Sequence, residues 1–204
     1  MIHPETELRF VNPSIGYGVF ATAFIPKGTL TYVKDMLEIE VTPERFAALD
    51  PRCREAVTKY CYIDERGTRV VSWDLAKYVN HRCDCNTIST GYGFEIAIRD
   101  IRAGEEITDE YGLFNFEEEV KLACGCGSCR GYLRPSDADI YARTWDECAA
   151  GALRQVLDVA QPLWELVDPQ TRQAVLDYLE GQAPLRSVRG LKWNRGREPR
   201  PRAA

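Results

Sequence analysis

Four short stretches of this 204-residue chain carry residue types that can do chemistry. Cys124-Gly125-Cys126-Gly127-Ser128-Cys129 puts three thiols within six residues, separated by glycines that let the chain fold back. This matches the close ligand spacing of a tetrahedral zinc site, with a redox thiol cluster as the competing reading. A structural zinc takes four ligands, so one must come from elsewhere, and Cys83 or Cys85 is the natural donor. Asn80-His81 offers an amide and an imidazole at the end of an apolar turn, where a cap or a satisfied core histidine is the plain alternative. Gly16-Tyr17-Gly18 brackets an aromatic with two glycines, so the backbone can turn sharply and approach a ligand closely, unless it is only a β-turn. The segment 104–111 ends a short strand on Tyr111, a residue that elsewhere is usually core.

These groups need elements to hold them. Residues 8–33 alternate short β-rich pieces with turn residues, which predicts small strands with tight turns. Thr42 before Pro43 predicts a helix start, with Pro51 as an interruption, inside a helical insertion at about 42–58. Residues 60–64 and 68–72 flank Glu-Arg-Gly as a β-hairpin, on which Tyr60 and Tyr62 share a face. A helical turn at 74–79 leads into Asn80-His81, and residues 94–98 alternate as a strand. Beyond the cysteines, Ser136 and Asp139 resemble a capping box. Apolar spacing to Glu180 then predicts two or three helices, broken near Pro162 and Pro169 and stopped at Gly181.

Composition sets the class. At 45% hydrophobic residues the chain can bury a sizeable core, and no internal repeat is visible. No apolar run approaches the roughly 18 residues of a membrane span, and the first residues lack the apolar stretch of a secretory signal. A cytoplasmic or nuclear setting without membrane attachment is expected, in which the eight cysteines are thiols or metal ligands. Cys53, Cys61 and Cys148 read as small core residues. Residues 185–204 carry seven Arg/Lys against one Glu, about +6, which leaves about −11 on the acidic body. This basic tail is poor in β-branched residues and is expected to be disordered. A nucleic acid or acidic partner is one expectation for it, a solvated terminus another.

In order and spacing the four stretches are similar to the SET-domain protein lysine methyltransferases. The opening Gly-x-Gly-Val-Phe-Ala followed by Ile-x-Lys-Gly-Thr is met at 16–21 and 25–29. The Asn-His-Ser-Cys-x-Pro-Asn signature is met at Asn80, His81, Cys83 and Asn86. Gly-Glu-Glu-Leu-Thr-x-x-Tyr is met at 104–111, and the post-SET cysteine ending at 124–131.

The resemblance implies a mainly β fold of small twisted sheets with a pseudoknot, followed by an α-helical C-terminal extension. Its expected parts are a SET domain over 1–122, a post-SET zinc-binding segment over 123–133, helices over 134–182 and the tail over 183–204. It implies S-adenosylmethionine held by Gly16, Tyr17, Gly18, Asn80, His81, Tyr111 and Leu133, and Tyr111 as the catalytic residue. It also implies a substrate channel that Tyr60 and Tyr62 line, and zinc on Cys83, Cys124, Cys126 and Cys129. The partner implied is a protein lysine, with histone or another basic chromatin protein as the substrate class and Lys192 as an automethylation candidate. Arg82 stands at the usual serine, Cys85 at the usual proline, and Asp109 where many relatives carry an aromatic residue. A catalytically inactive peptide-binding module and a nucleic-acid-associated protein working through its tail are the alternative readings.

Overall fold

The computed structural model of the chain describes residues 1–122 and 124–194, so Ala123 and the tail from Arg195 lie outside the described residues. Strand β1 (Thr6–Asn12) runs antiparallel to β2 (Gly16–Ala21). The turn between them is fixed by the Asn12 side chain, which accepts from the N–H groups of Ser14 and Ile15. It closes on Gly16 at φ +85°, a backbone angle that side chains disfavour. Next come β3 (Leu30–Val33), β4 (Ile39–Val41) and helix α1 (Pro43–Ala47), which Thr42 caps as expected.

Pro51 does not end a helix; it opens α2 (Pro51–Tyr60) behind an Asp50 cap. At a first helical position a missing N–H costs nothing, so proline there starts a helix. Tyr60 is therefore the last residue of α2, and only Tyr62 lies on the hairpin of β5 (Cys61–Ile63) and β6 (Arg69–Val71).

A 3₁₀ turn over Leu75–Tyr78 leads to β7 (Asn80–His81), followed by β8 (Thr87–Ser89), β9 (Phe94–Ala97) and β10 (Glu106–Asp109). Among the described residues four sheets result, ordered β1-β2-β10-β7, β3-β9-β8 and β4-β6-β5, with a small pair of β11 (Val120–Lys121) and β12 (Tyr132–Leu133). Helices α3 (Asp137–Ile140), α4 (Ala142–Leu153) and α5 (Pro169–Leu179) complete the fold. Ser136 makes no side-chain cap bond. Asp137 instead accepts from the N–H of Arg134. Gly181, at φ +73°, follows the end of α5.

The extension is part of the core. Leu30, Ile88, Phe94 and Ile96 of β3-β9-β8 share one buried cluster with Trp145, Ala149 and Leu153 of α4 and Val175 of α5. Residues 183–194 also pack, against the expectation from composition. Asp146 accepts from the Ser187 hydroxyl (2.7 Å) and the Val188 N–H (2.8 Å), and Val188 is fully buried. Lys192 pairs with Asp139. No helix among the described residues is long and apolar enough to cross a membrane.

The segment after β7 touches β10 at two points. Arg82 N–H donates to the Asp109 carbonyl (3.3 Å) and Asn86 N–H to the Thr108 carbonyl (3.2 Å), so the turn 83–85 is held at both ends. Asn86, fully buried, makes the second point firm: its Oδ1 accepts from the Thr108 N–H (2.8 Å) and its Nδ2 donates to the Glu106 carbonyl (2.8 Å). Asn86→Ala would leave two buried backbone groups without partners, at about 1–3 kcal/mol each. We expect a stability loss of roughly 2–4 kcal/mol in urea unfolding. A loss below 1 kcal/mol would mean that water replaces the amide without cost.

Candidate active site and thiol cluster

Asn80 sits where β7 lies parallel to β10, opposite Thr108. Its Nδ2 donates to the Tyr17 carbonyl (3.1 Å) and to Glu106 Oε1 (2.7 Å). Gly18 is what allows this approach, since a Cβ there would stand 2.9 Å from Asn80 Nδ2 and 2.4 Å from Glu106 Oε1. Gly16 meets no such crowding; its role is the turn. The Tyr17 ring is half exposed and packs edge-on against Tyr78. The structure thus brings Gly16, Tyr17, Gly18 and Asn80 together.

Val79, the residue between the 3₁₀ turn and β7, lines an aromatic channel. This cavity of about 140 Å³ is bounded by Tyr60, Tyr62, Tyr111 and Phe114 among others, so both expected channel tyrosines line it although they sit on different elements. The Tyr111 hydroxyl donates to the Val79 carbonyl. Burial, with the carboxylates of Asp109, Glu95 and Glu106, pushes its pKa well above the ordinary phenol value, so it stays protonated as a donor.

Two carboxyl groups in that channel lay outside the sequence-based site. Asp109 is 1% exposed and has no cationic partner among the described residues; the Glu110 N–H, the Thr87 hydroxyl and the Glu95 carboxyl are its polar neighbours. Burial raises its carboxyl to about 7, and Glu95 on β9, raised by burial and by Asp109, is its neighbour. The signal was Asp109 standing at an aromatic position, read only as a departure.

His81 joins the channel to the cysteines. Its buried ring lies with Nδ1 3.0 Å from the Asp109 carbonyl and 3.2 Å from the Tyr111 N–H, and with Nε2 3.3 Å from Cys83 Sγ. Burial lowers its pKa, so it is neutral at physiological pH. Cys83 points to the knuckle: its N–H donates to Cys124 Sγ (3.5 Å) and its Sγ accepts from the Arg130 N–H (3.4 Å). Cys124 and Cys126 Sγ are 3.3 Å apart, and Cys129 Sγ accepts from the Gly131 N–H (3.4 Å). Backbone N–H groups of Cys124 and Gly131 bring the Cys129 thiol down to about 7. N–H groups aimed at sulfur suit thiolates, the form that binds metal, while burial pushes the Cys83 and Cys124 thiols the other way. His81, Cys83 and Cys124 also form a group compact enough to hold an ion. Cys85 turns elsewhere, with Asp109, Glu110 and Cys148 as its titratable neighbours.

Arg130 is the other residue that sequence reasoning missed. Its guanidinium makes two bonds to the buried Glu110 carboxylate (2.9 and 2.6 Å) and lies against the rings of Tyr141 and Trp145. Leu133, three residues on, is buried on β12 opposite Val120.

Residues 16–112 match the family model of the SET domain. The chain is 35% identical over 67 residues to the histone-lysine N-methyltransferase ASHR3 of Arabidopsis thaliana, covering 29% of this chain and 14% of that protein. It is 32% identical over 132 residues to the histone-lysine N-methyltransferase trithorax of Drosophila virilis, 58% of this chain and 3% of that one. With the H3 lysine-4 specific histone-lysine N-methyltransferase of Schizosaccharomyces pombe the identity is 34% over 67 residues, 29% of this chain and 7% of that protein. The chain thus spans only a small part of these relatives' length.

The buried Asp109 has a consequence for stability. Its carboxyl is raised to about 7 in the folded protein, against ~3.9 in an unfolded chain. Between those values the folded state holds a proton that the unfolded state has released, so this group's contribution falls as pH rises through the window. Asp109→Asn removes the effect. Its advantage in denaturant unfolding should be near zero at pH 4 and level off above about pH 7, at roughly 2–4 kcal/mol. An advantage that does not change with pH would show that the carboxyl keeps one protonation state throughout.

Proposed function

We propose that this chain, which carries a SET domain across residues 16–112, transfers a methyl group from S-adenosylmethionine to the side-chain amine of a protein lysine. The observation that carries the reading is the meeting of two walls at one strand pair. Asn80 holds the Gly16-Tyr17-Gly18 turn on one side of β7, while Val79 and Tyr111 line the aromatic channel on the other.

S-adenosylmethionine would supply a methyl group on a sulfonium leaving group. Gly18 lets Asn80 and Glu106 pack against its backbone, and the half-exposed Tyr17 ring beside them offers an aromatic face that such a guest would meet. Gly16, Tyr17, Gly18, Asn80 and His81 would hold the donor, with Leu133 behind the knuckle. Tyr60 and Tyr62 guide the lysine chain, and Tyr111, protonated and fixed by Val79, orients the amine as a hydrogen-bonding group.

Four thiolates from Cys83, Cys124, Cys126 and Cys129 suit a structural zinc, with His81 Nε2 hydrogen-bonded to Cys83 from outside the metal's shell. Such an ion would order the wall that includes Arg130 and Leu133. The relatives' names point to histone as the substrate class, which suits the acidic body and a nuclear or cytoplasmic setting.

Incubation with labelled S-adenosylmethionine and core histones should label one or more of them, and Tyr111→Phe should lower the rate by about 100-fold. A zinc-loaded protein that binds the donor but labels none of a broad panel of basic proteins would support an inactive binding module instead. Elemental analysis should find about one zinc per chain, reduced in Cys83→Ser and Cys124→Ser. Unchanged zinc in both variants would sink the ligand assignment.

A further inference from the structure

The aromatic channel ends on a charge that the fold leaves unmatched. Glu110, one residue beyond Asp109, is buried to the same degree but has Arg130 as a bidentate partner. Asp109 has no cation beside it among the described residues, only the Glu110 N–H, the Thr87 hydroxyl and the Glu95 carboxyl, and it lines the same cavity as Tyr60, Tyr62 and Tyr111. A buried carboxyl of this kind either keeps a proton or receives a cation. The cations at the cavity wall are engaged elsewhere: Lys77 Nζ donates to the carbonyls of Ser72 and Trp73, and Lys59 Nζ lies over the Tyr60 ring.

We infer that Asp109 receives the ammonium group of the substrate lysine and accepts its proton, an inference that rests on the methyltransferase reading above. The step is a proton transfer: one N–H bond of the ammonium breaks, its electron pair stays on nitrogen, and an O–H bond forms on Asp109. A cation and an anion become a neutral amine and a neutral acid, so no charge is left uncompensated in the cavity. The amine then holds the lone pair that methyl transfer requires, which an ammonium lacks.

The surroundings fit this role. Facing Asp109 are Glu95 from β9, Glu110 and Tyr111 from its own segment, and His81 and Cys85 from the segment that returns to β10. Arg130 neutralises Glu110, burial keeps His81 uncharged, and burial holds Tyr111 and Cys85 protonated. Glu95 is left as the group that competes with Asp109 for a proton. It also lines a second cavity of about 650 Å³, so a proton passed to it from Asp109 reaches a second space. With its carboxyl near 7, Asp109 can both take and release a proton at neutral pH.

The test uses n-butylamine hydrochloride, the smallest mimic of a lysine side chain, on the full chain with ¹³C-labelled aspartate carboxyls. In the wild type, n-butylammonium should shift the Asp109 carboxyl resonance toward its protonated position and raise its titration midpoint, while n-butanol leaves both unmoved. Asp109→Asn should weaken amine binding by about 10-fold, equivalent to ~1.4 kcal/mol, with the fold verified by its unfolding transition. Histone labelling by this variant should follow the ionisation of lysine itself, near ~10.4, and approach the wild-type rate only at high pH. A resonance indifferent to n-butylammonium, or a variant that binds the amine as well as the wild type, overturns the inference. So does an unchanged pH profile of labelling. Amine binding needs no methyl donor, so a protein that binds the amine through Asp109 yet labels nothing would refute the methyltransferase reading and not the cation site.

Discussion

The bidentate pair between Glu110 and Arg130 is the interaction on which the rest of the molecule turns. Glu110 follows the strand that carries Asp109 and caps the turn that holds Tyr111, and it is 1% exposed. Arg130 belongs to the cysteine knuckle, its own N–H holds Cys83 Sγ, and its guanidinium lies over two rings of the helical extension. One buried pair therefore joins three parts of the chain that local propensity would leave independent. Asp137, also buried, stands 3.9 Å from the same guanidinium and adds α3 to the junction. A buried charge whose partner is removed costs several kcal/mol, so the three parts are held together by the penalty for separating them.

Strand β10 distributes that constraint. Glu106 and Ile107 pair with β2, Thr108 and Asp109 with β7, and Asn86 reaches across to the backbone of Glu106 and Thr108. Four residues thus fix the glycine turn, the Asn80 segment and the channel floor relative to one another. The placement of Tyr111 follows: its N–H faces His81, its hydroxyl faces Val79, and both partners lie on or beside β7. Positioning of this kind, achieved by backbone pairing more than by loops, is what a reaction dependent on alignment requires.

Much of this was legible in the sequence because the informative residues are local. Thr42 with Pro43, the glycine after α5, the hairpin around 65–67 and the alternation of 94–98 each act within a few residues. The thiols, Asn80, Gly18 and Tyr111 were legible as types at a spacing. What stayed hidden depends on distant partners. Pro51 is the local exception: it reads as an interruption, yet Asp50 caps it as Thr42 caps Pro43. Arg130 looks like any knuckle cation until Glu110 is found beneath it, 20 residues away in sequence. Residues 183–194 have the composition of a tail, but Val188 is buried and Asp146, some 41 residues earlier, ties Ser187 down.

The contrast between Glu110 and Asp109 shows how this fold separates structure from chemistry. Asp109, the last residue of β10, lines the channel, while Glu110, the cap of the next turn, enters the junction and finds its cation. Optimising stability alone would favour an apolar residue at 109, since burial of an unmatched carboxyl opposes folding. The surrounding structure tolerates the opposition because Asn86, His81 and the Glu110–Arg130 pair fix the backbone on both sides of it. A stabilised strand can thus keep one residue in an unfavourable state, and the free energy withheld there becomes available to a cation that enters the channel.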